Sequence, residues 1–413
     1  MADFRRKEFK KDLIDIKNFN TKNTQVVQIL KNLKEIFIKE NFTQENLKNY
    51  TGKQVVRYTH LFPDDDILLL NHIFSENNKL LLLYQIFLLD LYVEISELKA
   101  VIKEELIYKF IELEIFEKSI NDKVRSKISI TPLGDCYFIN EGHSEFEPLH
   151  IHQVSRSQNF VFEVFNLLKK NVKIFKNDKI LDYCNGSGAL GMCVSSSNSE
   201  INGIDLNPRA VEFSKLNALL NSKSSNYVEG NANKGWINNE KFDLIVSNPP
   251  FHGMIDNDPL NYEKSRLVVH AGDFGDSSTR EILSRLDSNL NEDGNSIIVA
   301  NWLLKENCLA YPNFQELSNN GTLILFHDPI VKSTTWEGLR LLYWADKLEQ
   351  IPKGYYNKLL KSANFDSVCF GVVCWLKNKG PGGFHLIQNA VERDIGIISN
   401  WAEYSLNKIL KSS

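Results

Sequence analysis

The stretch KILDYCNGSGALG, Lys179 to Gly191, is the part of the sequence that indicates a fold most clearly. Its first six residues are mainly apolar, as in a short buried strand, and glycines follow at once. Glycine allows the backbone to turn tightly and allows a ligand to approach the main chain. A strand, a turn and a helix form the repeating unit of α/β folds. The stretch therefore predicts one strand of a helix-covered sheet, with a ligand site at its end.

The same alternation of strands and helices continues along the rest of the chain. Helices are clearest at Pro208–Asn221 and Ser277–Leu290. After Lys179–Cys184, the sequence predicts strands at Ile201–Leu206, Asn226–Asn231, Phe242–Asn248, Asn295–Leu303, Thr322–Asp328 and Ser367–Lys377. We therefore predict an α/β fold whose parallel sheet has seven strands, covered by helices on both faces. The glycine-rich segment Asn378–Leu386 is predicted to be a flexible loop that closes over the site.

The chain before residue 145 has a different, mainly helical pattern. Helices are predicted at about Val26–Glu40, Lys79–Leu91, from Ser96, and at about Glu104–Leu113, and a hairpin at Arg125–Glu141. Three helices followed by a hairpin are the order of a winged helix. We therefore predict a helical region at 1–50, a winged-helix-like domain at 51–145 and a catalytic domain at 150–413. The third helix, which enters a DNA groove in regulators, is acidic here, so we expect a packing or lid role and no DNA binding.

Composition indicates a soluble globular protein without a metal. The chain has 413 residues, a net charge of −4 and a hydrophobic content of 43%. Its six cysteines include neither a CxxC pair nor zinc spacing, which favours free thiols in a reducing cytoplasm. The opening residues MADFRRKEFKK lack the apolar core of a secretory signal. No run approaches the roughly 20 apolar residues of a membrane span, since Gln85 and Asp90 interrupt the richest one.

The first three strands end in residues that suit a nucleoside. Asp182 precedes a loop in which Gly186, Gly188 and Gly191 match the dinucleotide spacing G-x-G-x-x-G, so a nicotinamide enzyme is one alternative. Asp205 lies 23 residues after Asp182, where a carboxylate can accept two hydrogen bonds from a ribose diol.

Residues close to Asp205 add to this pattern. Asn207 is a candidate cap for the helix that begins at Pro208. Asn231, after the third strand, can bond to an adenine amino group, and Ala232 can line the ring, although asparagine is also an ordinary turn residue.

The fourth strand ends in Asn248-Pro249-Pro250-Phe251, for which a dinucleotide enzyme has no use. The side-chain oxygen of Asn248 and the carbonyl of Pro249 can accept the two hydrogens of an NH2 group on a planar acceptor. The two prolines fix the backbone so that this carbonyl points into the site. Phe251 can stack on the acceptor. The tetrapeptide therefore predicts catalysis of transfer to a planar nitrogen by positioning and electrostatics.

These motifs resemble class I S-adenosylmethionine-dependent methyltransferases of the N-P-P-[FY] branch. That branch includes the release-factor glutamine methyltransferases and the guanine-N2 methyltransferases of ribosomal RNA. The resemblance spans roughly Asp178 to Lys377. A likeness over most of the chain is to bacterial methyltransferases with a winged-helix-like domain ahead of the catalytic one. The fold implied is a Rossmann-like, seven-stranded methyltransferase sheet.

The resemblance also implies roles for individual residues. S-adenosylmethionine would be held by Asp182, Gly186, Gly188, Asp205, Leu206, Asn231, Ala232 and Asn248, and the acceptor would be faced by Asn248, Pro249, Pro250 and Phe251. The first motif departs from the usual D-x-G-x-G-x-G, because Cys184 replaces its first glycine.

Three classes of function remain open on the sequence. The first is an N-methyltransferase acting on a small metabolite, a nucleobase in RNA or a protein glutamine amide. An RNA enzyme would normally have a basic face, and no Arg-rich strip is present, whereas the motif favours a base. The second is a winged-helix regulator that uses the methyltransferase domain as a cofactor sensor. The third is a nicotinamide oxidoreductase, which leaves Asn248–Phe251 unexplained.

Overall fold

A computed structural model describes residues 23–51, 72–89, 91–141, 151, 154–236, 240–251, 271–272, 274–328, 365–392 and 397–412. The predicted regions 1–50 and 51–145 therefore lie partly outside the described residues. The chain forms two compact units, of which the first comprises Met1–Asn159, Gly186–Cys193 and Asn207–Tyr227. The second comprises Phe160–Asn185, Val194–Leu206 and Val228–Ser413.

The first unit begins with helices and small antiparallel sheets. Its helices are α1 (Thr24–Lys39), α2 (Gln44–Thr51), α3 (Asn78–Phe87), α4 (Ile95–Leu98) and α5 (Glu104–Glu112). Strands β1 (Val93–Glu94), β2 (Phe116–Lys118) and β3 (Lys123–Ser126) form a sheet in the order β1-β3-β2. Strands β4 (Ile128–Leu133) and β5 (Cys136–Glu141) form the hairpin predicted at Arg125–Glu141. A second hairpin, β2–β3, comes between α5 and this one and was not predicted.

Two helices from later in the chain complete the first unit: α7 (Ala189–Cys193) and α8 (Pro208–Asn221). The predicted cap of α8 is confirmed, because the side chain of Asn207 accepts a hydrogen bond of 3.0 Å from the backbone N–H of Arg209. The apolar core of the unit joins residues of α1 and α3 to four residues of α8: Ala210, Phe213, Leu216 and Leu220.

The second unit is built on a mixed sheet of nine strands in the order β14-β12-β13-β10-β9-β6-β7-β8, with β11 paired to β10. The strands are β6 (Lys179–Tyr183), β7 (Glu200–Asp205), β8 (Ser225–Glu229), β9 (Phe242–Ser247), β10 (Leu290–Lys305), β11 (Cys308–Leu309), β12 (Gly321–His327), β13 (Ser367–Lys377) and β14 (Gly383–Ile387). The helices are α6 (Arg156–Asn171), α9 (Ser277–Asn289), α10 (Phe314–Asn319) and α11 (Asn400–Leu410). All seven predicted strands are present.

Two predictions about this sheet are wrong. The sheet is not wholly parallel, because β13 runs antiparallel to both β10 and β12. Among the described residues it has nine strands, and the segment predicted to be a flexible loop, Asn378–Leu386, contains most of β14, which pairs in parallel with β12. Thr322 fixes the turn before β14, since its hydroxyl donates to the carbonyl of Lys379 at 2.6 Å and accepts from the N–H of Gly382 at 3.0 Å. The glycines of this segment therefore serve a tight turn.

Other expectations from composition can be compared with the described part of the chain. Helix α3 is buried, as expected of its apolar run, and no described helix is long and apolar enough to cross a membrane. No group of His, Cys, Asp and Glu among the described residues could hold a metal ion. No disulfide joins the six cysteines, all of which are described; Cys136, Cys369 and Cys374 are buried, whereas Cys308 is exposed.

Candidate active site

The carboxyl ends of the parallel strands of the second unit meet at one edge of the sheet. Tyr183, the last residue of β6, pairs with Ile204 of β7 on one side and with Ser247 of β9 on the other. The hydroxyl of Ser247 donates a hydrogen bond of 2.7 Å to the carbonyl of Tyr183. This contact fixes the end of β6 against the end of β9. The predicted residues Asp182, Asp205 and Asn248 therefore lie at the ends of three adjacent strands.

Cys184, at the position where the family motif has glycine, takes a backbone conformation that glycine adopts readily. Its φ is +57°, in the left-handed region, and its N–H donates to the carbonyl of Ile204 at 2.9 Å. Burial raises the pKa of the Cys184 thiol well above its usual value, and the negative charges of Asp205 and then Asp182 raise the pKa further. The carboxylates of Asp205 and Asp182 therefore both lie near enough to Cys184 to affect its thiol. A cysteine thus occupies a turn position with positive φ, which glycine would adopt without strain.

The ends of β7 and β8 bring Asp205 and Asn231 close together. The N–H of Gly230 donates to the carbonyl of Asp205 at 2.9 Å, and Asn231 follows directly. Leu206, next to Asp205, is 51% exposed. Ala232 is buried and begins a short 3₁₀ turn over Ala232–Lys234. A carboxylate, an exposed apolar side chain and an amide thus follow two neighbouring strands.

The predicted glycines Gly186 and Gly188 belong to the first unit, and their surroundings differ. Both have positive φ, +53° and +76°. A Cβ built on Gly188 would lie 2.7 Å from Cε of Met192 and 2.8 Å from the hydroxyl of Tyr227, so both side chains would have to shift to admit one. A Cβ built on Gly186 would meet no atom within 4 Å. The main chain at Gly186 is therefore the part of this loop that a ligand could approach.

Two asparagines of α8, which the sequence analysis did not single out, pair with the edge of β5 within the first unit. Asn221 accepts from the N–H of Tyr137 at 2.9 Å and donates to its carbonyl at 2.7 Å. Asn217 accepts from the N–H of Ile139 at 2.7 Å and donates to its carbonyl at 3.0 Å. Asn217 also donates to the carbonyl of Ser187, between the two loop glycines, at 3.0 Å. The i, i+4 spacing that sets both amides on one helix face was a signal available in the sequence.

The tetrapeptide after β9 carries a buried amide oxygen. Oδ1 of Asn248 is buried and has no hydrogen-bond partner in the described structure. Pro249 is buried, while Pro250 and Phe251 are partly exposed. The Phe251 ring packs on Phe370, with ring centroids 5.8 Å apart and planes inclined by 49°. The site therefore presents a hydrogen-bond acceptor and an aromatic ring in adjacent positions.

Asn301, in β10, is a polar residue of this site that the sequence analysis missed. Its Nδ2 donates a hydrogen bond of 3.1 Å to the carbonyl of Phe251. Its side chain is 1% exposed, and its Oδ1 has no partner among the residues described. The signal was an asparagine within the apolar run NSIIVANWL, which the sequence analysis treated only as a strand.

Comparisons with known proteins were consistent with this arrangement. Residues 163–320 match the family model described as the methyltransferase small domain. A ribosomal protein uL3 glutamine methyltransferase of Francisella tularensis is 32% identical over 167 residues, which cover 37% of this chain and 52% of that protein. A release factor glutamine methyltransferase of Flavobacterium psychrophilum is 36% identical over 89 residues, 21% of this chain and 31% of that protein.

Among solved structures, a partial match is the methyltransferase subunit of a type I restriction-modification system from Streptococcus thermophilus. It has a TM-score of 0.38 and 14% identity, and the match covers 63% of this chain and 53% of that one.

The chain thus carries a methyltransferase domain of the class that uses S-adenosylmethionine, as the resemblance implied. Residues 163–320 are similar to the methyltransferase small domain family. The chain spans about half the length of the first of these relatives.

Proposed function

We propose that this protein transfers the methyl group of S-adenosylmethionine to a planar or amine nitrogen of a small metabolite or of a nucleobase in RNA. The observation that carries this proposal is the buried Oδ1 of Asn248, which has no partner in the described structure. A buried acceptor oxygen without a donor costs free energy, on the order of 1–3 kcal/mol. A ligand that brings an N–H donor removes this cost. The regulator alternative gives this oxygen no role and is not favoured.

The tetrapeptide can hold and activate such a nitrogen. Oδ1 of Asn248 and the carbonyl of Pro249 accept its two N–H hydrogens, which leaves its electron density directed along the third direction. S-adenosylmethionine supplies a methyl group on a positively charged sulfur, which keeps the electron pair when the sulfur–carbon bond breaks. The nitrogen gains the new bond to carbon and releases one proton to water. Phe251, supported by Phe370, covers the planar face of the acceptor.

The residues at the strand ends fit the cofactor. Asp205 would bind the ribose diol, with Leu206 and Ala232 against the adenine ring and Asn231 on its amino group. Asp182 would bind the methionine part, and Gly186 and Gly188 are further proposed contacts. The position of Asp182 and Asp205 at the ends of adjacent strands, with Asn231 directly after a residue that bonds to Asp205, supports the assignment of these three residues.

A protein glutamine amide is the second candidate acceptor. The relatives in Francisella tularensis and Flavobacterium psychrophilum are named for ribosomal protein uL3 and release factor glutamine, and both match this chain only in part. A glutamine amide is a planar NH2 group, so the tetrapeptide suits it as well. Transfer of labelled methyl to nucleosides, to RNA and to a peptide with a central glutamine distinguishes the candidates.

We also propose that the N-terminal part is a winged-helix-like domain of a cytoplasmic enzyme. The order α3, β1, α4, α5, β2, β3, in which β1 pairs with β3, supports this. Helix α5 starts with Glu104 and Glu105, and Lys109 forms an ion pair with Glu105 at 2.9 Å. Such a helix does not suit contact with DNA phosphates, so we assign the domain a packing role.

The test of this function separates cofactor binding from transfer. Asn248→Ala should leave the dissociation constant for S-adenosylmethionine within about twofold and lower transfer at least about 100-fold, because it removes a group that acts on the acceptor. Asp205→Ala should weaken cofactor binding about 10- to 100-fold, since charge-assisted hydrogen bonds are lost. Calorimetry and transfer of labelled methyl measure the two quantities.

Asp178→Ala is the matched control, because Asp178 is an exposed carboxylate at the opposite edge of the same sheet. It should change neither quantity. Full transfer by Asn248→Ala would refute the acceptor assignment. Unchanged cofactor binding by Asp205→Ala would refute the ribose assignment.

A further inference from the structure

Asn301 is a buried amide in the middle of an apolar strand. Burying a polar side chain is unfavourable unless its hydrogen bonds are made. The Nδ2 group of Asn301 makes one, to the carbonyl of Phe251, and Oδ1 makes none within the described structure. The bond to Phe251 also assigns Nδ2 and Oδ1 of the amide, because the reversed amide would place Oδ1 against the carbonyl oxygen of Phe251. Asn301 therefore leaves an acceptor without a donor, as Asn248 does.

The strand register sets Asn301 beside the tetrapeptide. Asn301 lies directly opposite Phe370 in the antiparallel pair β10–β13, so both side chains share one face of the sheet. Both contact Phe251, one at its carbonyl and one at its ring. On the other side of β10, Ile298 pairs with Ser247.

The pair of Ile298 with Ser247 is the last of the β9–β10 ladder, so Asn248 follows directly after it and Asn301 lies three positions further along β10. Asn248 is three residues before Phe251 in the chain, and Asn301 donates a hydrogen bond to the carbonyl of Phe251. Two buried amide oxygens without donors in the described structure are thus tied to Phe251, one through the chain and one through a hydrogen bond.

We propose that Asn301 is a second residue that recognises the methyl acceptor, its Oδ1 accepting an N–H that the acceptor carries besides its NH2 group. This inference rests on the proposed function. Asn248 and Pro249 use both hydrogens of the NH2 group, so Asn301 requires a third donor. A ring N–H on the atom next to the amino-bearing carbon supplies it in the same plane. Cytosine and adenine have a bare ring nitrogen there, which would face the Asn301 oxygen unfavourably.

The experiment measures binding of nucleosides to the full chain saturated with S-adenosylhomocysteine. Guanosine carries the required N–H beside its amino group, and cytidine does not. Wild-type protein should bind guanosine at least about tenfold more tightly than cytidine. Asn301→Leu, which keeps the volume and removes both polar atoms, should abolish this preference, since the ring N–H of guanosine then has no acceptor.

Three controls show that the effect belongs to Asn301 itself. Asn295→Leu removes another buried asparagine of the same strand, six positions before Asn301, and should keep the preference. Phe370→Leu disturbs the packing of Phe251 without touching the amide, and should weaken both nucleosides equally. Asn301→Ala repeats the test with a smaller side chain, and unchanged cofactor binding shows that each variant is folded.

Equal binding of guanosine and cytidine by the wild type would overturn the inference, as would an unchanged preference in Asn301→Leu. Loss of the preference in Phe370→Leu would also overturn it, because Asn301 would then act only through Phe251. Two other results would contradict the proposed function itself, independently of Asn301. One is the absence of S-adenosylmethionine binding, and the other is full methyl transfer by Asn248→Ala.

Discussion

At position 184 the chain places a cysteine where the backbone has a φ of +57°. A residue with a Cβ is strained in this left-handed region by roughly 1–2 kcal/mol, and a β-branched residue by more. The hydrogen bond from its N–H to Ile204 holds the turn in spite of this strain. Its raised thiol pKa follows from burial and from two neighbouring carboxylates, so the thiol stays protonated at neutral pH and reacts poorly.

Substitutions at Cys184 should separate the shape of the turn from the thiol. Cys184→Gly should change the free energy of unfolding by no more than about 1 kcal/mol and keep cofactor binding, because glycine adopts positive φ readily. Cys184→Val should cost at least about 2 kcal/mol. Urea denaturation measures both, with exposed Cys308→Val as the control. A harmless Cys184→Val would show that the turn does not require this conformation.

At the same scale, the sequence located residues whose role follows from a position after a strand. Asp182, Asp205 and Asn248 are of this kind, and the structure places them at the ends of three adjacent strands. Asn301 was missed because it lies within a strand, where a single amide in an apolar run does not by itself indicate a functional residue. Its contact with Phe251 depends on the register of β10 with its neighbours, which a single sequence does not reveal.

Among the elements, α8 has an unusual contact with β5. An edge strand exposes backbone N–H and carbonyl groups that another strand normally pairs. Here the amides of Asn217 and Asn221 pair with alternate residues of β5, Tyr137 and Ile139, in place of a strand. Because both amides are buried, loss of either one leaves two backbone groups unsatisfied.

Asn221→Leu should therefore destabilise the protein by about 2–4 kcal/mol, since the backbone N–H and carbonyl of Tyr137 would lose their hydrogen-bond partners. Chemical denaturation gives the free energy, and hydrogen exchange at the Tyr137 amide should become faster. Lys215→Leu, on the exposed side of the same helix, should cost less than about 0.5 kcal/mol. Equal effects of the two substitutions would show that these amide pairs do not hold the hairpin.

The positions of the strands were largely predictable from the sequence, whereas their pairing and direction were not. Periodicity located the seven predicted strands, because buried strands are short apolar runs between turn signals. It did not find β14, whose glycines resemble a loop and whose pairing with β12 is set by contacts distant in sequence. It did not give the direction of β13 either, since alternation of elements does not fix the orientation of late strands.

For the molecule as a whole, the compact units do not follow the order of the chain. The first unit takes Gly186–Cys193 and Asn207–Tyr227 from inside the segment that matches the methyltransferase family. The apolar core of that unit includes Phe213, Leu216 and Leu220. A boundary drawn near residue 145 therefore removes part of this core from the N-terminal region.

A fragment of residues 1–150 should consequently fail to fold cooperatively. It lacks α8, so both the apolar residues and the edge of β5 that this helix covers would be exposed to water. We expect a broad denaturation curve and binding of a hydrophobic dye, whereas the full chain should show neither under the same conditions. A sharp transition in the fragment would mean that its own residues form a sufficient core.

The buried amide oxygens of Asn248 and Asn301 lower the stability of the fold, whereas the proposed reaction needs them. An acceptor without a donor makes the folded state less stable than an apolar side chain of the same shape would. A library of variants selected only for resistance to heat should therefore enrich apolar replacements at position 248. A lineage that has lost the reaction but still needs the fold should drift in the same direction, so asparagine at this position would mark the members that remain enzymes.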